Sequence, residues 1–153
     1  MLVKNFSGFT LIELLVTLAV LVILATVAIP GFQQLMATNR MAVDYNKILS
    51  GFNYARSEAI KRRADIAFEI TNDQPWRYSI YISSPDDSLR VGRARDGKTT
   101  LEKSKVVFNA LGRAPGCSPC VIKLKDDADR VNARKFSINS LGRVSGSVVD
   151  DKK

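Results

Sequence analysis

The sequence predicts an α+β fold, in which one long N-terminal helix packs on a C-terminal antiparallel β-sheet. Two observations give this prediction. An apolar run over residues 9–29 continues into a segment whose apolar residues recur every three or four positions, as on one face of a helix. After Ala64 the pattern changes to short runs of alternating apolar and polar residues, separated by turn residues, which is typical of antiparallel strands.

The apolar run is long enough to cross a bilayer. It has 21 residues with one charge, Glu13, and as a helix it would extend about 31 Å, against about 30 Å for a hydrocarbon core. A secretory signal peptide would have a shorter apolar run and a small-residue cleavage site, which residues 29–32 do not provide. The first half of the helix is therefore predicted to be a retained transmembrane anchor, with Lys4 on the cytoplasmic side.

Glu13 does not fit a plain membrane anchor. An acidic side chain costs roughly 2.5–3.5 kcal/mol at the centre of a bilayer, and less near its surface. Two interpretations stay open on the residues alone. Either the Glu13 side chain extends towards the membrane surface from its position near the start of the run, or Glu13 pairs with a positively charged group that is supplied later.

Residues 8–13, Gly-Phe-Thr-Leu-Ile-Glu, resemble the processing signal of type IV prepilins, and the short basic leader and the long apolar run agree with it. The resemblance implies that a prepilin peptidase cleaves between Gly8 and Phe9 and that Phe9 is then N-methylated. It also implies that Glu13 pairs with the amino group of Phe9, its own or a neighbour's, among other major and minor pilins in a filament. Burial as a pair satisfies two charges that would each be costly alone.

The second half of the helix is predicted to be amphipathic and to pack its apolar stripe on a domain. Pro30 and Gly31 weaken the helix between the two halves. Either the helix ends there, or it can unwind locally in a filament, as the resemblance implies. The predicted stripe consists of Phe32, Leu35, Met36, Asn39, Ala42, Val43, Ile48, Leu49, Phe52, Ala55, Arg56, Ala59 and Ile60.

Residues 55–62, Ala-Arg-Ser-Glu-Ala-Ile-Lys-Arg, resemble the end of this helix in the GspH/FimT group of minor pilins and pseudopilins. The pilin architecture that follows from the resemblance divides the chain into four parts. These are a leader peptide (1–8), a transmembrane and filament-core helix (9–30), an amphipathic helix (31–64) and a periplasmic β-sheet domain (65–153).

A five-residue motif, Asn-x-Leu-Gly-Arg, occurs twice in the β-rich part, at residues 109–113 and 139–143. Each copy follows an apolar strand, so the motif predicts two equivalent strand ends. Gly112 and Gly142 are expected to adopt a positive φ in the turns, and Arg113 and Arg143 to lie near the loop tips. The predicted strands include residues 66–70, 76–82, 105–108, 121–124 and 135–138.

The two cysteines form a Cys-x-x-Cys pair, Cys117 and Cys120. Such a pair occurs in thioredoxin-type redox sites, in halves of zinc sites and in small disulfide loops. Zinc is disfavoured because the chain has no second pair and no His. Because the prepilin signal would place the domain outside the cytoplasm, where disulfides persist, a disulfide that rigidifies a loop is the favoured interpretation.

Catalysis is not expected. The chain has no His, the commonest general base, and it contains no nucleotide-binding or metal-binding motif. The sequence therefore predicts a protein that is not an enzyme and that needs no cofactor or metal.

The net charge of +8 favours an anionic partner, or is the charge of an ordinary solvated surface. The arginines near predicted loops are the candidate DNA contacts: Arg90, Arg93, Arg95, Arg113 and Arg143. Some FimT-like minor pilins bind DNA through a Gly-Arg-x-Arg motif near the C-terminus. This chain has Ser145 where the second Arg of that motif would stand, and its literal Gly-Arg-x-Arg lies in mid-chain, at residues 92–95.

The favoured function is that of a minor pilin of a type IV pilus, which supports pilus assembly and binds DNA during natural transformation. The alternatives are a GspH-like pseudopilin of a type II secretion system and an adhesive or major structural subunit. In each case the chain would begin as a single-pass protein of the inner membrane and end in a pilus or pseudopilus filament.

Overall fold

The computed structural model describes residues 8–149, and the chain divides into two compact units, Met1–Met36 and Ala37–Lys153. One helix, α1 (Leu11–Arg62), continues from the first unit into the second. Eight strands follow it, all in the second unit. The predicted α+β class and the single long N-terminal helix are confirmed.

In the first unit α1 is apolar and exposed. Its most apolar stretch is not buried by any of the described residues, so by length and composition this helix is able to cross a membrane. The hydroxyls of Thr17 and Thr26 donate to the carbonyls of Leu14 and Ile23, at 2.8 and 2.7 Å. These threonine hydroxyls are therefore satisfied within the helix, as an apolar surrounding requires.

Pro30 lies inside α1, so the interpretation that the helix ends at this residue is wrong. Proline removes one intrahelical hydrogen bond, and the turns on either side continue the helix. α1 ends instead at Arg62, because Arg63 adopts a φ of 52° and the Ala64 N–H donates to the Ala59 carbonyl, at 3.3 Å. The predicted end at residue 64 is thus two residues too late.

The buried face of α1 in the second unit agrees with the predicted stripe only from Ile48 to Ala59, and Ile60, the last residue of the stripe, is 50% exposed. Before that point the prediction is wrong: Val43 is 59% exposed, while Ala37, Met41 and Asp44 are buried. The face turns in this way because two polar residues of the helix have partners in the β-sheet domain: Asp44 is buried with Thr99 and Trp76, and Arg40 pairs with the buried Asp126 and the exposed Asp96. The residues of α1 that the second unit buries are Ala37, Met41, Asp44, Ile48, Gly51, Phe52, Ala55, Glu58 and Ala59.

The strands form two antiparallel four-stranded sheets, where the sequence predicted one. Sheet 1 has the order β3-β2-β1-β5, and sheet 2 the order β4-β6-β7-β8. The strands are β1 (Ile66–Asp73), β2 (Trp76–Tyr81), β3 (Ser88–Arg93), β4 (Thr99–Leu101), β5 (Lys105–Phe108), β6 (Cys120–Asp126), β7 (Arg134–Ile138) and β8 (Val144–Val148). A short 3-10 helix, Pro85–Asp87, precedes β3.

Aromatic side chains join α1 to both sheets. The ring of Phe52 on α1 stacks on Phe68 of sheet 1, with centroids 4.0 Å apart, and lies 5.7 Å from Phe136 of sheet 2. Tyr78 continues the stack on Phe68 at 4.6 Å. Burial of aromatic rings makes the largest contribution per residue to such a core, so Phe52 fixes α1 against both sheets at once.

A polar cluster crosses the same interior. The buried Asp44 carboxylate accepts hydrogen bonds from the Thr99 hydroxyl, at 2.6 Å, and from the Trp76 indole N–H, at 3.4 Å. One turn earlier on α1, Arg40 pairs with Asp96 at 2.9 Å and with Asp126 at 3.7 Å. The cluster links the helix to β2 of sheet 1 and to β4 and β6 of sheet 2, and the amphipathic pattern gave no sign of it.

Candidate functional sites

The N-terminal site lies just before and at the start of α1. Gly8 and Phe9 precede the helix, Phe9 is 73% exposed, and a Cβ added at Gly8 would meet none of the described atoms. Glu13 is exposed in the first helical turn, and its backbone N–H donates to the Thr10 hydroxyl at 3.3 Å. The bond between Gly8 and Phe9 is therefore accessible in this chain. Residues 1–7 of the predicted leader lie outside the described residues.

The two copies of Asn-x-Leu-Gly-Arg form equivalent turns, as the sequence predicted. In the first, the Asn109 side-chain oxygen accepts the Arg113 N–H at 2.9 Å, and in the second, Asn139 accepts the Arg143 N–H at 2.9 Å. Gly112 and Gly142 have φ angles of 70° and 75°. The left-handed conformation explains the glycine in each copy.

The structure also places the two turns against each other. The Ala114 N–H donates to the Ser140 carbonyl at 3.1 Å, which joins one turn to the other. A Cβ at Gly142 would collide with the carbonyl oxygen of Gly112 and would lie 3.3 Å from the Cα of Arg113. Arg113 and Arg143, both exposed, thus project from adjoining turns at one end of the domain.

Arg93 and Arg95 lie at the other end of sheet 1. β1 begins at Ile66, which pairs with Phe108 just before the first turn, whereas Asn72 pairs with Arg77, the cross-strand partner of Arg93. The stretch of β1 between these two ends spans about 20 Å, at roughly 3.3 Å per residue. Four of the five arginines predicted to contact DNA, Arg93 and Arg95 on one side and Arg113 and Arg143 on the other, therefore form two separate groups.

The mid-chain Gly-Arg-x-Arg segment begins on a strand, contrary to the predicted loop, because Gly92 and Arg93 belong to β3. Gly92 makes room for the ring of Tyr78, which a Cβ at this position would strike. Burial raises the pKa of the Tyr78 phenol, and its hydroxyl donates to the Lys47 carbonyl at 3.3 Å. The segment is thus part of the core packing as well as of the surface.

Arg90, the remaining candidate, is also on β3 and is half-buried. Its guanidinium lies 5.2 Å from the ring centroid of Tyr54 on α1, in a cation–π contact. This contact holds the side chain against the helix, so Arg90 contributes less to a free basic surface than Arg93, Arg113 or Arg143.

Cys117 and Cys120 are joined in a disulfide. The loop that they close borders an open groove of about 560 Å³ beside the second turn. The groove is lined by Ser118, Pro119, Ser137, Asn139, Ser140, Arg143 and Ser145. The Arg143 guanidinium and the serine hydroxyls of its lining are able to contact a polar or anionic ligand.

Sequence reasoning missed a row of lysines on the outer face of sheet 2. Ile122 and Leu124 are buried, so Lys123 and Lys125 lie on the opposite face of β6. Lys135 of β7 is the direct cross-strand partner of Lys123. The alternation of apolar residues and lysines from Ile122 to Lys125 is the sequence pattern from which this row could have been predicted. Like charges placed opposite each other destabilise a sheet, and an anion bound on this face would relieve that repulsion.

One long helix that is apolar in its first part, followed by antiparallel sheets on its second part, is the pilin fold. The chain belongs to the GspH family: its residues 44–142 match the family described as type II transport protein GspH. Residues 3–29 match the prokaryotic N-terminal methylation motif. The resemblance drawn from the sequence is therefore confirmed.

The structure is similar to crystal structures of the type IV minor pilin FimU of Pseudomonas aeruginosa. One crystal form aligns with a TM-score of 0.60 and 21% identity, over 76% of this chain and 92% of that chain. A second form aligns with a TM-score of 0.50 and 22% identity, over 72% and 89%. No protein with a curated description matches the chain.

Proposed function

We propose that this chain is a minor pilin of a type IV pilus, a structural subunit without catalytic activity of its own. The supporting observation is the combination of an N-terminal methylation motif with a GspH domain in one chain, on a fold similar to that of FimU. In this proposal the apolar part of α1 anchors the precursor in the inner membrane, and the β-sheet domain faces the periplasm. The prepilin peptidase removes residues 1–8, Phe9 is methylated, and the helix then packs among those of other pilins.

Cleavage is tested by Gly8→Asp. We expect this variant to keep its eight leader residues, because a carboxylate next to the scissile bond would not fit a site shaped for glycine. Since a Cβ at Gly8 meets none of the described atoms, loss of cleavage would reflect recognition by the peptidase and not misfolding. The intact mass of the chain extracted from membranes measures the outcome. Gly116→Asp, in open space on the domain, is the matched control, and uncleaved Gly116→Asp or cleaved Gly8→Asp would contradict the proposal.

Glu13 has a separate role in the proposal. In a filament its carboxylate would lie against the amino group of Phe9, and the pair would cost less to bury than either charge alone. We expect Glu13→Gln to be cleaved normally but to be depleted at least about tenfold from sheared filaments, since an unpaired buried charge costs several kcal/mol. Asp86→Asn, an exposed acid of the short 3-10 helix, is the control. Equal recovery of both variants in filaments would contradict the charge pair.

The family description favours one alternative, a pseudopilin of a type II secretion system. The proposed cleavage and assembly steps are the same for both, so the variants above do not separate them. Deletion of the chain in its own bacterium does: loss of surface pili with normal export of folded proteins supports the pilus, and the reverse result supports the secretion system.

DNA binding is a second candidate function, favoured by the adjoining positions of Arg113 and Arg143 and by the lysines on the outer face of sheet 2, Lys123, Lys125 and Lys135. Contacts of this kind recognise phosphates and release counterions, so binding weakens steeply with salt. The full chain in detergent micelles would be titrated with duplex DNA at several salt concentrations. We expect Arg113→Ala with Arg143→Ala to lower the slope of log K against log salt by about 2.

The matched control for that test is Arg93→Ala with Arg95→Ala, which removes the same charge at the opposite end of sheet 1. We expect this control to change the salt slope by less than the first pair does. If the control abolishes binding while Arg113→Ala with Arg143→Ala does not, the contact lies at the Gly-Arg-x-Arg segment. If the unaltered chain does not bind DNA at low salt, the DNA-binding proposal is wrong and the basic surface is an ordinary solvated surface.

A further inference from the structure

The free edge of β8 is a second candidate site for a partner. β8 is the last strand of sheet 2, and among the described residues it pairs only with β7. Four of its five residues are exposed. A strand with one unpaired edge presents a row of backbone donors and acceptors that another strand can use.

The direction of the free backbone groups follows from the ladder between β7 and β8. Beyond the two ends of the ladder, the Asn139 N–H donates to the Arg143 carbonyl and the Val149 N–H to the Ala133 carbonyl. Because hydrogen-bonded and non-hydrogen-bonded pairs alternate in antiparallel strands, the odd-numbered residues of β8 bond to β7.

The N–H and C=O groups of the even-numbered residues, Val144, Gly146 and Val148, therefore point away from β7. Within residues 8–149 none of these groups has a hydrogen-bond partner. The glycine is required at the centre of the strand, because a Cβ at Gly146 would collide with the Tyr45 hydroxyl. The edge thus offers three donors and three acceptors in a regular row.

The other three sheet edges of the described chain are protected in the ways that folded proteins use. β4 has three residues, two of them buried, β3 carries Arg90 and Arg93, and β5 begins with Lys105. β8, with the sequence Val-Ser-Gly-Ser-Val, contains neither a charge nor a proline. It is the edge best suited to accept an added strand.

The surroundings of this edge are basic. Residues 134–149 contain Arg134, Lys135 and Arg143 and no acidic residue, and residues 150–153 add two acidic and two basic residues. Two copies of this edge would bring like charges together, which disfavours pairing of the chain with itself. A segment that carries acidic side chains would complement them.

We propose that β8 accepts an extended, acidic segment of another protein as a fifth strand of sheet 2. Backbone hydrogen bonds would supply the affinity and the basic rim would supply the preference for acidic residues, as in other cases of strand addition. The inference rests on the proposed function only in taking this other protein to be a component of the same filament.

The test uses the full chain in detergent micelles, labelled with ¹⁵N, and two peptide probes. The first probe is Val-Glu-Val-Thr-Val-Glu and the second is Val-Lys-Val-Thr-Val-Lys, both with blocked ends. We expect the acidic probe to shift the amide signals of Val144, Gly146 and Val148 and to slow their exchange with solvent, and the lysine probe to bind at least about tenfold more weakly. Equal binding of both probes, no binding, or shifts confined to other strands would overturn the proposal.

Val148→Pro removes one outward N–H and leaves the ladder to β7 intact. We expect it to weaken binding of the acidic probe about fivefold or more, since one inter-strand hydrogen bond is lost. Val148→Thr keeps the N–H and should change the affinity less than about twofold. An unchanged affinity for Val148→Pro would overturn strand addition.

Lys135→Glu reverses one charge of the rim and does not depend on the backbone of β8, so it decides the question if Val148→Pro fails to fold. We expect this variant to reduce the preference for the acidic probe, because the rim of Arg134, Lys135 and Arg143 falls from three positive charges to a net charge of +1, and an unchanged preference would overturn the role of the rim. If the outward amides are protected without any probe, in proportion to protein concentration, the occupant is a second copy and the acidic partner is wrong. None of these measurements needs a filament. If the peptide probes do not bind, the proposed function of the chain is unaffected, and if the chain does not enter filaments, the peptide measurements can still be interpreted.

Discussion

Replacing Asp44 by alanine is expected to lower the free energy of unfolding by about 3 kcal/mol. The Asp44 side chain is 1% exposed and accepts hydrogen bonds from Thr99 and Trp76. Its loss would leave the Thr99 hydroxyl without its acceptor and would open a cavity next to the indole. Asp44→Asn keeps one acceptor oxygen, so it should lower the free energy of unfolding by about half as much.

The measurement is denaturant unfolding of the full chain in micelles, followed by the fluorescence of Trp76. Trp76 is the single tryptophan of the chain, and it lies inside the cluster that the substitution changes. Asn46→Ala, at an exposed position of the same helix, is the control and should change stability by less than about 0.5 kcal/mol. Equal losses for Asp44→Ala and Asn46→Ala would mean that the polar cluster does not hold α1 to the sheets.

Gly142→Ala is expected to lower the free energy of unfolding by about 3 kcal/mol or more, because two destabilising effects add. A residue with a Cβ pays about 1–2 kcal/mol for the left-handed conformation, which Gly142 adopts with a φ of 75°. In addition, the Cβ would strike the carbonyl oxygen of Gly112, a backbone atom of the adjoining turn. The two turns would have to separate, and the bond from the Ala114 N–H to the Ser140 carbonyl would be lost.

Gly112→Ala provides the sharper comparison for this prediction. It shares the positive φ, but its Cβ would meet the end of the flexible Ile60 side chain, at 2.7 Å. We expect it to cost less than Gly142→Ala, and Gly116→Ala, in open space, to cost about 0.5 kcal/mol or less. Unfolding curves of the three variants, with the exchange rate of the Ala114 amide, test the order. If Gly112→Ala lowers the free energy of unfolding as much as Gly142→Ala does, the strain of the positive φ explains both effects and the collision between the two turns contributes nothing.

Local periodicity was enough to predict α1 and the strands β1, β2, β5, β6 and β7. It failed for β4, which has three residues. It also failed for β3, which contains Arg90 and Gly92, and for β8, whose glycine and serines resemble a loop. β3 and β8 each pair with a neighbouring strand, and each has a glycine that makes room for a tyrosine ring. Tyr78 packs against Gly92, and Tyr45 packs against Gly146. Such partners are distant in sequence, so no local pattern reveals them.

The face of α1 was mispredicted for the same reason. Arg40 and Val43 differ in hydropathy as expected, yet the Arg40 side chain is largely buried because it pairs with the buried Asp126 and with Asp96 at the domain surface. The separation into two sheets also depends on pairings between distant strands. Periodicity reports which residues are apolar, whereas burial of a charged residue depends on the presence of a partner.

For the candidate sites, the equivalence of the two Asn-x-Leu-Gly-Arg turns could be predicted because each turn is a local structure. Their direct contact could not, since it depends on how the ends of sheets 1 and 2 meet. The same limit applies to the arginines: the sequence gave their number and charge, and the register of β1 places Arg93 far from Arg113.

The exposed apolar surface of α1, with the threonine hydroxyls already bonded inside the helix, has a consequence for the reversibility of assembly. A helix that leaves lipid for a bundle of similar helices exchanges one apolar solvent for another, so the hydrophobic effect contributes little to the choice between them. In the proposed filament, the equilibrium between membrane and filament would then depend on small terms, such as side-chain packing and the proposed ion pair at Glu13. If that proposal holds, so narrow a difference in free energy would let subunits return intact to the bilayer and be used again.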